Sequence, residues 1–416
     1  MSRNAGSYTS AACLTAFLLW LVPGSGQVVA QEGPTAAQDR PDSSIELQRK
    51  VEALEQKVKQ LEQKASTQTA PAPDPTPAPA APDTSINEVA ERLKLDVFGD
   101  VGYQSGHYYG PTSTFELGEF NLLFTARLND QVSVLGDVLM TSSLDNTIGL
   151  DVERLLLSYR PTDYLHASIG RLHTAIGYYN TAFDRGEYFQ TAIGRPAMYE
   201  FDDQGGFLPM QDIGATLDGK IPSGRANLHY VFEVTNGRDY GALVEPVQNN
   251  SDKNSSKAVN FGLSSKPTHS RDLTLGFSLR HDKLSDVLSQ GVSEIIPVAY
   301  AVYTGHHYEF LNEAMWVRHA LPAGSVHHTP GFYSQISRGF GSFRPYFLYS
   351  YVNASLNDPI YGNPAEMPVV GRINGPSVGL RYDFSRFSAA KVQYQREDSN
   401  FAKPTNGLAA EISFLF

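Results

Sequence analysis

The chain has 416 residues, a formal net charge of −11 at pH 7 and a mean hydropathy of −0.29, which by itself would indicate a soluble protein. The acidic balance argues against a nucleic-acid partner. Aromatic residues make up 11% of the chain, with 22 Tyr and 22 Phe but only 2 Trp. This composition suits a lipid-facing β-structure or a large secreted β-sandwich or propeller, so the choice depends on periodicity.

The N-terminal segment predicts secretion. Arg3 precedes an apolar run from Leu14 to Val22 that is too short to span a membrane, and small residues follow at 28–30. This order is typical of a signal peptide over residues 1–30, cut before Gln31. Cys13, the single cysteine, lies inside it, so we expect neither disulfides nor thiol chemistry in the secreted chain. Most of the apolar run follows Cys13, which disfavours a lipoprotein.

Residues 31–44 are small and polar and are expected to be disordered. A short heptad repeat over residues 45–64 then predicts an α-helical coiled coil, with Lys at g and Glu at the following e positions. Its spacing resembles the short signature of trimeric coiled coils, so we expect a homo-oligomer, specifically a trimer. A solvated amphipathic helix on one chain is the alternative, because fewer than three heptads are marginal. The predicted oligomerisation residues are Leu47, Val51, Leu54, Val58 and Leu61.

Residues 65–85 are rich in Pro and Ala, which predicts a semi-rigid polyproline II spacer. From about residue 94 the pattern changes to a period of two and keeps it to the end of the chain. The last strand is the clearest, because one face holds Leu408, Ala410, Ile412, Phe414 and Phe416. Alternation that ends on Phe resembles the assembly signal of bacterial outer-membrane proteins.

Connection lengths distinguish a membrane barrel from a sandwich, since both alternate. The predicted connections alternate between short turns and stretches of roughly eight to forty residues, as in transmembrane barrels with periplasmic turns. We therefore predict an all-β transmembrane antiparallel β-barrel over residues 94–416, in the bacterial outer membrane and in contact with its lipid. The sixteen predicted strands lie near 95–103, 115–128, 131–141, 150–160, 163–171, 211–220, 225–235, 257–266, 272–283, 293–303, 307–319, 330–338, 344–353, 374–384, 386–396 and 407–416.

Three strands, 293–303, 307–319 and 330–338, alternate poorly. A β-bulge in this region, or a count of fourteen or eighteen strands, is therefore an alternative to sixteen regular strands.

The longest connection, residues 172–210, joins the fifth and sixth strands. A connection of this length is usually functional or disordered, and its many aromatic residues favour order. It is a candidate constriction loop folded into the lumen, and an extracellular flap is the alternative. Its charged residues are Asp184, Arg185, Glu187, Arg195, Glu200, Asp202 and Asp203.

Sixteen strands enclose a lumen wide enough for water unless it is filled. Basic residues of the strands fall on the lumen side of the alternation and could favour anions, but many acidic residues share that side. Wall-bracing ion pairs are the alternative role for any one of them. The predicted channel-lining residues are Arg127, Arg154, Arg280, Arg381 and Lys391.

A barrel behind a periplasmic coiled coil, with a long connection at this position, resembles the trimeric porins of the phosphate-selective and dicarboxylate-selective types. The resemblance implies passive diffusion of small polar solutes, among them anions such as phosphate or carboxylates. The alternative is a structural anchor with a periplasmic coiled-coil stalk.

The chain is not expected to be an enzyme. An energy-coupled receptor would need a plug domain that the N-terminal region does not supply. We expect no metal site and no cofactor. The adjacent pairs His306-His307 and His327-His328 are expected near turns or loops, where they rarely chelate.

Overall fold

The computed structural model describes residues 56–57, 59, 92–105, 112–142, 146–183, 188, 190–200, 208–238, 252, 254–284, 291–361, 371–400 and 403–416. The predicted signal peptide, the disordered segment and the Pro/Ala spacer lie outside these residues. So do the heptad residues Leu47, Val51, Leu54, Val58 and Leu61, and the coiled coil therefore stays a prediction. Within its range only Gln56, Lys57 and Lys59 are described, and they are helical.

The sixteen strands predicted from the alternation are all present, and they form one closed antiparallel barrel. Each strand pairs with its neighbours along the chain, so the topology is a simple up-and-down meander. The strands are β1 (Leu93–Gln104), β2 (Thr114–Arg127), β3 (Val132–Ser142), β4 (Ile148–Thr162), β5 (Leu165–His173), β6 (Gln211–Ile221), β7 (Leu228–Thr235), β8 (Ala258–Ser265), β9 (Leu273–Leu284), β10 (Val292–Thr304), β11 (Tyr308–Ala320), β12 (Val326–Arg338), β13 (Phe343–Asn353), β14 (Arg372–Ser385), β15 (Ser388–Ser399) and β16 (Thr405–Leu415).

The barrel closes where β1 pairs with β16. Beyond the end of β16, Val97 N donates to Phe416 O at 2.8 Å, and Phe416 N donates to Val97 O at 2.9 Å. Closure pairs backbone N–H and C=O groups that would otherwise face lipid, which offers them no hydrogen-bond partner.

Deleting Phe416 should impair closure, because it removes both of these hydrogen bonds and one outward aromatic ring. We expect less folded barrel in membranes, measured as the fraction that migrates anomalously on unheated gels. Deleting one residue from the exposed turn at Gly341 is the control. If both deletions lowered the folded fraction equally, the closure argument would fail.

The outer face of the barrel is apolar. Phe115 is 81% exposed and Leu150 is 72% exposed, and large apolar side chains are exposed on every strand except β10. The inner face carries ionised groups such as Arg280, Asp282 and Lys391. An apolar exterior around a polar interior is the arrangement that a lipid bilayer requires.

The connections alternate in length, but less strongly than the sequence predicted. One rim has short turns, such as residues 163–164 and 386–387, and the other rim has the long connections, residues 174–210 being the longest. The expected minimum of about eight residues on the long side is wrong. Strands there continue to pair beyond their predicted ends, so connections 143–147, 321–325 and 400–404 have five residues each.

The irregular alternation in β10–β12 is not caused by a β-bulge, which was one of the alternatives that the sequence allowed. Pairing from β9 to β12 keeps a constant register, and no register shift is found among these strands. Instead, their inner face carries apolar residues such as Ile296, Leu311 and Val317. These residues face a folded segment inside the barrel, so both faces of the strands are apolar in places.

Candidate functional site

The described part of the 172–210 connection crosses the barrel interior. Its backbone N–H groups donate to inward-facing side chains on five strands, which are Glu233 of β7, Ser278 of β9, Glu313 of β11, Ser350 of β13 and Gln393 of β15. Because β13 and β15 lie on the wall opposite β5 and β6, the segment reaches from one side to the other. It contains the one-turn helix α1 (Tyr179–Ala182) and a 3-10 turn (Ala197–Tyr199). In the described part of the chain, no helix is long and apolar enough to cross a membrane.

Glu313 is the principal attachment point of this segment. The buried carboxylate accepts hydrogen bonds from Tyr178 N at 2.6 Å, Tyr179 N at 2.8 Å and the hydroxyl groups of Tyr199 and Tyr333 at 2.9 and 2.6 Å. Burial raises the pKa of Tyr199 well above 10, and the neighbouring Glu313 raises it further. The Tyr199 hydroxyl therefore stays protonated and remains a donor.

A second set of contacts holds the segment to the opposite wall. Arg381 Nη1 donates to Gln190 O at 2.8 Å, and Lys391 Nζ donates to Ala192 O at 3.3 Å. Gln393 both accepts from Ile193 N and donates to Ile193 O, at 3.1 and 3.0 Å. Carbonyl groups of the segment are thus satisfied by cationic and amide side chains of the wall.

An apolar core lies inside the barrel between the segment and β10–β13. Segment side chains that include Ile176, Met198 and Leu208 pack in one cluster with wall side chains that include Ile296 and Val302. Fully burying one such side chain contributes roughly 1.5–3 kcal/mol. Several together fix the segment against this half of the barrel.

The other half of the wall has small inward-facing residues, and here the interior is open. A cavity of about 390 Å³ lies between β4–β10 and the segment residues Ala175, Gly177 and Thr181. Its size is in the range of small-molecule sites. A Cβ on Gly276 would lie 2.1 Å from the ring of Tyr300, so this glycine makes room for the ring at the cavity edge. The small residues of the wall are Gly262, Ser264, Ser168, Thr216 and Ser278.

Charged groups of both signs line the cavity. Towards the rim with the short turns, His166 Nδ1 and His229 Nε2 lie 3.1 and 3.2 Å from the same oxygen of Asp218. Towards the other rim the cavity is bounded by Arg154, His173 and Glu233.

The five predicted channel-lining cations occupy different environments. Arg154 lines the cavity and lies 2.5 Å from Asp137, and Arg127 is exposed at the end of β2. The other three pair with carboxylates, and Arg280 and Lys391 are 0% and 1% exposed. This burial favours the wall-bracing alternative for them. Their pairs are Arg280 with Asp212 at 2.7 Å, Arg381 with Asp383 at 2.8 Å and Lys391 with Glu411 at 2.9 Å.

Of the predicted constriction-loop charges, Arg195 and Glu200 are described, and both border a small pocket with Arg396 and Glu397. Burial, and secondarily Glu397, raises the pKa of Glu200 to about 8. Glu200 is therefore mostly uncharged at pH 7 and contributes little to a transverse field. The remaining predicted loop charges, Asp184, Arg185, Glu187, Asp202 and Asp203, lie outside the described residues.

A buried network braces the interior near the rim with the long connections. His319 of β11 lies between two carboxylates, 2.9 Å from Glu294 and 2.7 Å from Asp358. Arg238 Nη2 lies 2.6 Å from Glu294. The segments that follow β7 and β13 are thereby tied to the inner wall. Among the described residues, no group of three or more His, Cys, Asp or Glu is arranged to hold a metal ion.

Sequence reasoning missed His166, His229 and the small-residue half of the wall. The signal was available, because inward positions of β6–β9 hold Gly, Ser and Thr where those of β10–β13 hold Val, Ile, Met and Tyr. This contrast becomes visible once the inward face of each strand is assigned.

Comparison with known proteins finds structural likeness without sequence likeness. No family model matches the chain, and no curated protein matches it. An anion-selective porin from Comamonas acidovorans matches with a TM-score of 0.55 at 10% identity, over 78% of this chain and 99% of that chain. Salmonella typhi OmpF in complex with daunomycin matches with a TM-score of 0.54 at 13% identity, and the outer-membrane channel DcaP of Acinetobacter baumannii with 0.52 at 12% identity. Each covers 78% of this chain and 97% of its own.

This chain has the fold of the outer-membrane porins. At this identity the likeness concerns the fold alone.

Proposed function

We propose that the protein is a porin of the bacterial outer membrane that lets small polar solutes diffuse passively through its barrel. The observation that carries this proposal is the 390 Å³ cavity between the small-residue wall and the crossing segment. A barrel that served as an anchor alone would have no need of polar space beside an ordered interior segment. The apolar exterior supports the membrane location.

The crossing segment acts as the constriction in this proposal. It packs against the bulky half of the wall and leaves the small-residue half open. Solutes would therefore pass along β5–β9, next to Ala175, Gly177 and Thr181. The loop charges Asp184, Arg185, Glu187, Asp202 and Asp203 remain candidates for this constriction.

A mild preference for anions such as phosphate or carboxylates is part of the proposal. Both carboxylates at the cavity have close donors, since Asp218 lies between two histidines and Glu233 accepts from Ala175 N and Asn260 Nδ2. Arg154 adds a guanidinium group, which suits carboxylate and phosphate. Because Arg154 is itself paired with Asp137, the preference is expected to be weak.

Trimer formation through the heptad residues also belongs to the proposal. Leu47, Val51 and Leu54 with Val58 and Leu61 supply the repeat, and the Pro/Ala spacer separates it from the barrel in sequence. Mass measurement of the purified protein in detergent tests it. Replacing Leu54 and Leu61 by Ser should lower the share of trimer if the repeat contributes to assembly.

The test of transport is the current through planar bilayers, with reversal potential measured in a salt gradient and with phosphates and dicarboxylates added as blockers. We expect discrete conductance steps. Protein that is folded and inserted but silent would overturn the proposal and favour the anchor.

Asp218→Asn should shift the reversal potential towards greater anion preference, because it removes a negative charge from the cavity. Asp163→Asn is the matched control, since Asp163 lies in an exposed turn beside Lys220. Equal reversal potentials for wild type and Asp218→Asn would place the ion path away from this cavity.

A further inference from the structure

Basic residues lie on the outward face of one side of the barrel, at the rim with the long connections, three of them exposed and Arg318 half-buried. His281 and Lys283 of β9, Arg318 of β11 and His328 of β12 form this group, here called the outer basic cluster. Their outward direction follows from the alternation, since the intervening residues Arg280, Asp282 and His319 are buried inside.

The register brings these residues together. Arg318 is directly opposite His328, and Ile295 of β10 separates Arg318 from His281 along the same row. With strands about 4.8 Å apart, the row places three cationic or titratable groups within roughly 15 Å. Lys283 lies in the next row, opposite Ser293. Among the described residues of β8–β12, no Asp or Glu occupies an outward position in these two rows.

Trp316 fixes the level of the cluster in the membrane. It is 49% exposed and faces outward like Arg318, but it lies two residues nearer the rim with the short turns. Its Nε1 donates to His328 Nδ1 at 2.9 Å. At the other end of β11, Tyr308 and Phe310 face outward. Trp and Tyr concentrate at the two membrane interfaces, and eight tilted strand residues separate these levels by about 20 Å. Arg318 therefore lies at headgroup level, just outside the apolar band.

The opposite side of the barrel differs at the same level. There the outward positions hold apolar residues such as Phe115, Met140, Ile148 and Leu150. In the described residues of β1–β7, no exposed Lys or Arg faces outward near the long connections. A general attraction to anionic membranes would not need this one-sided arrangement.

We propose that the outer basic cluster binds the phosphate groups of a phosphorylated glycolipid in the leaflet on the side of the long connections. Arg318 supplies a planar fork of donors that matches a phosphate, and Lys283 supplies a point charge. Trp316 packs against the apolar and sugar portions of the same lipid. The inference rests on the outer-membrane location proposed above, but not on transport.

The chain offers its own reporter, because its two tryptophans are Trp20, inside the predicted signal peptide, and Trp316. The secreted protein in detergent micelles is titrated with a diphosphorylated lipid A and with the same glycolipid lacking its phosphates. We expect a saturable change in Trp316 fluorescence with the phosphorylated lipid. The double variant Lys283→Gln, Arg318→Gln should bind it about tenfold more weakly.

Arg338→Gln is the matched control. Arg338 is also exposed on β12, but at the rim with the short turns, where it lies over the rings of Tyr308 and Phe340. It should leave the affinity unchanged. Equal binding of the two glycolipids, or equal weakening by the control and the double variant, would overturn the inference.

Conductance of each variant separates this inference from the proposed function. Wild-type protein that conducts and yet binds both glycolipids equally would refute the lipid site alone. Phosphate-dependent binding to a barrel that never conducts would support the lipid site and refute the porin.

Discussion

Thr216→Trp is expected to lower single-channel conductance at least about twofold, because the indole would fill a large part of the open half of the lumen. Thr216 faces inward on β6 and lines the cavity, and its neighbours on the adjacent strands are small. The indole can therefore enter the cavity without displacing the crossing segment. The measurement is the conductance of single channels in planar bilayers at fixed salt.

Leu217→Trp supplies the control on the same strand. Leu217 is the next residue, is 42% exposed and faces lipid, where an indole is well tolerated. Its conductance should match wild type. If Thr216→Trp also matched wild type while folding and inserting normally, solutes would have to pass elsewhere, and the small-residue path would be wrong.

The barrel could be predicted from the sequence because lipid on one side and water on the other impose a strict period of two. Strands β9 and β16 show this most clearly, since over most of their length every second residue is apolar and the others are mostly small or ionised. The count of sixteen strands and the rim on which each turn lies followed from this period together with the alternating connection lengths. The predicted strand ends were less accurate. At β12, for example, pairing begins before the predicted start, where the alternation of apolar and polar residues is weak.

The interior was harder to predict, because contacts with the crossing segment decide which inward-facing residues are buried and which are accessible. Apolar residues such as Ile296 and Val317 face the lumen, where the crossing segment covers them. The alternation of apolar and polar residues in their strands is therefore irregular. Conversely, Arg280 and Lys391 looked like exposed channel charges but are covered and paired. Only the position of the 172–210 connection in the barrel shows which inward residues stay accessible.

Glu313→Ala is expected to loosen the crossing segment, since four donors, three of them buried, would lose their common acceptor. Two of the donors are backbone N–H groups at the start of α1, and burying them without a partner costs about 1–3 kcal/mol each. The segment should then leave its docked position part of the time. We expect larger and noisier single-channel currents, with faster protease cleavage inside residues 174–210.

Glu313→Gln tests whether the acceptor, rather than the volume, is responsible. Its one carbonyl oxygen can still accept, so its current noise should lie between those of wild type and Glu313→Ala. Glu309→Gln is the control on the same strand, because Glu309 accepts from the wall residues Gln335 and Ser337. Glu313→Ala channels as quiet and protease-resistant as wild type would show that the apolar core alone holds the segment. In that case the hydrogen bonds to Glu313 would set the position of the aromatic residues and add little to the docking energy.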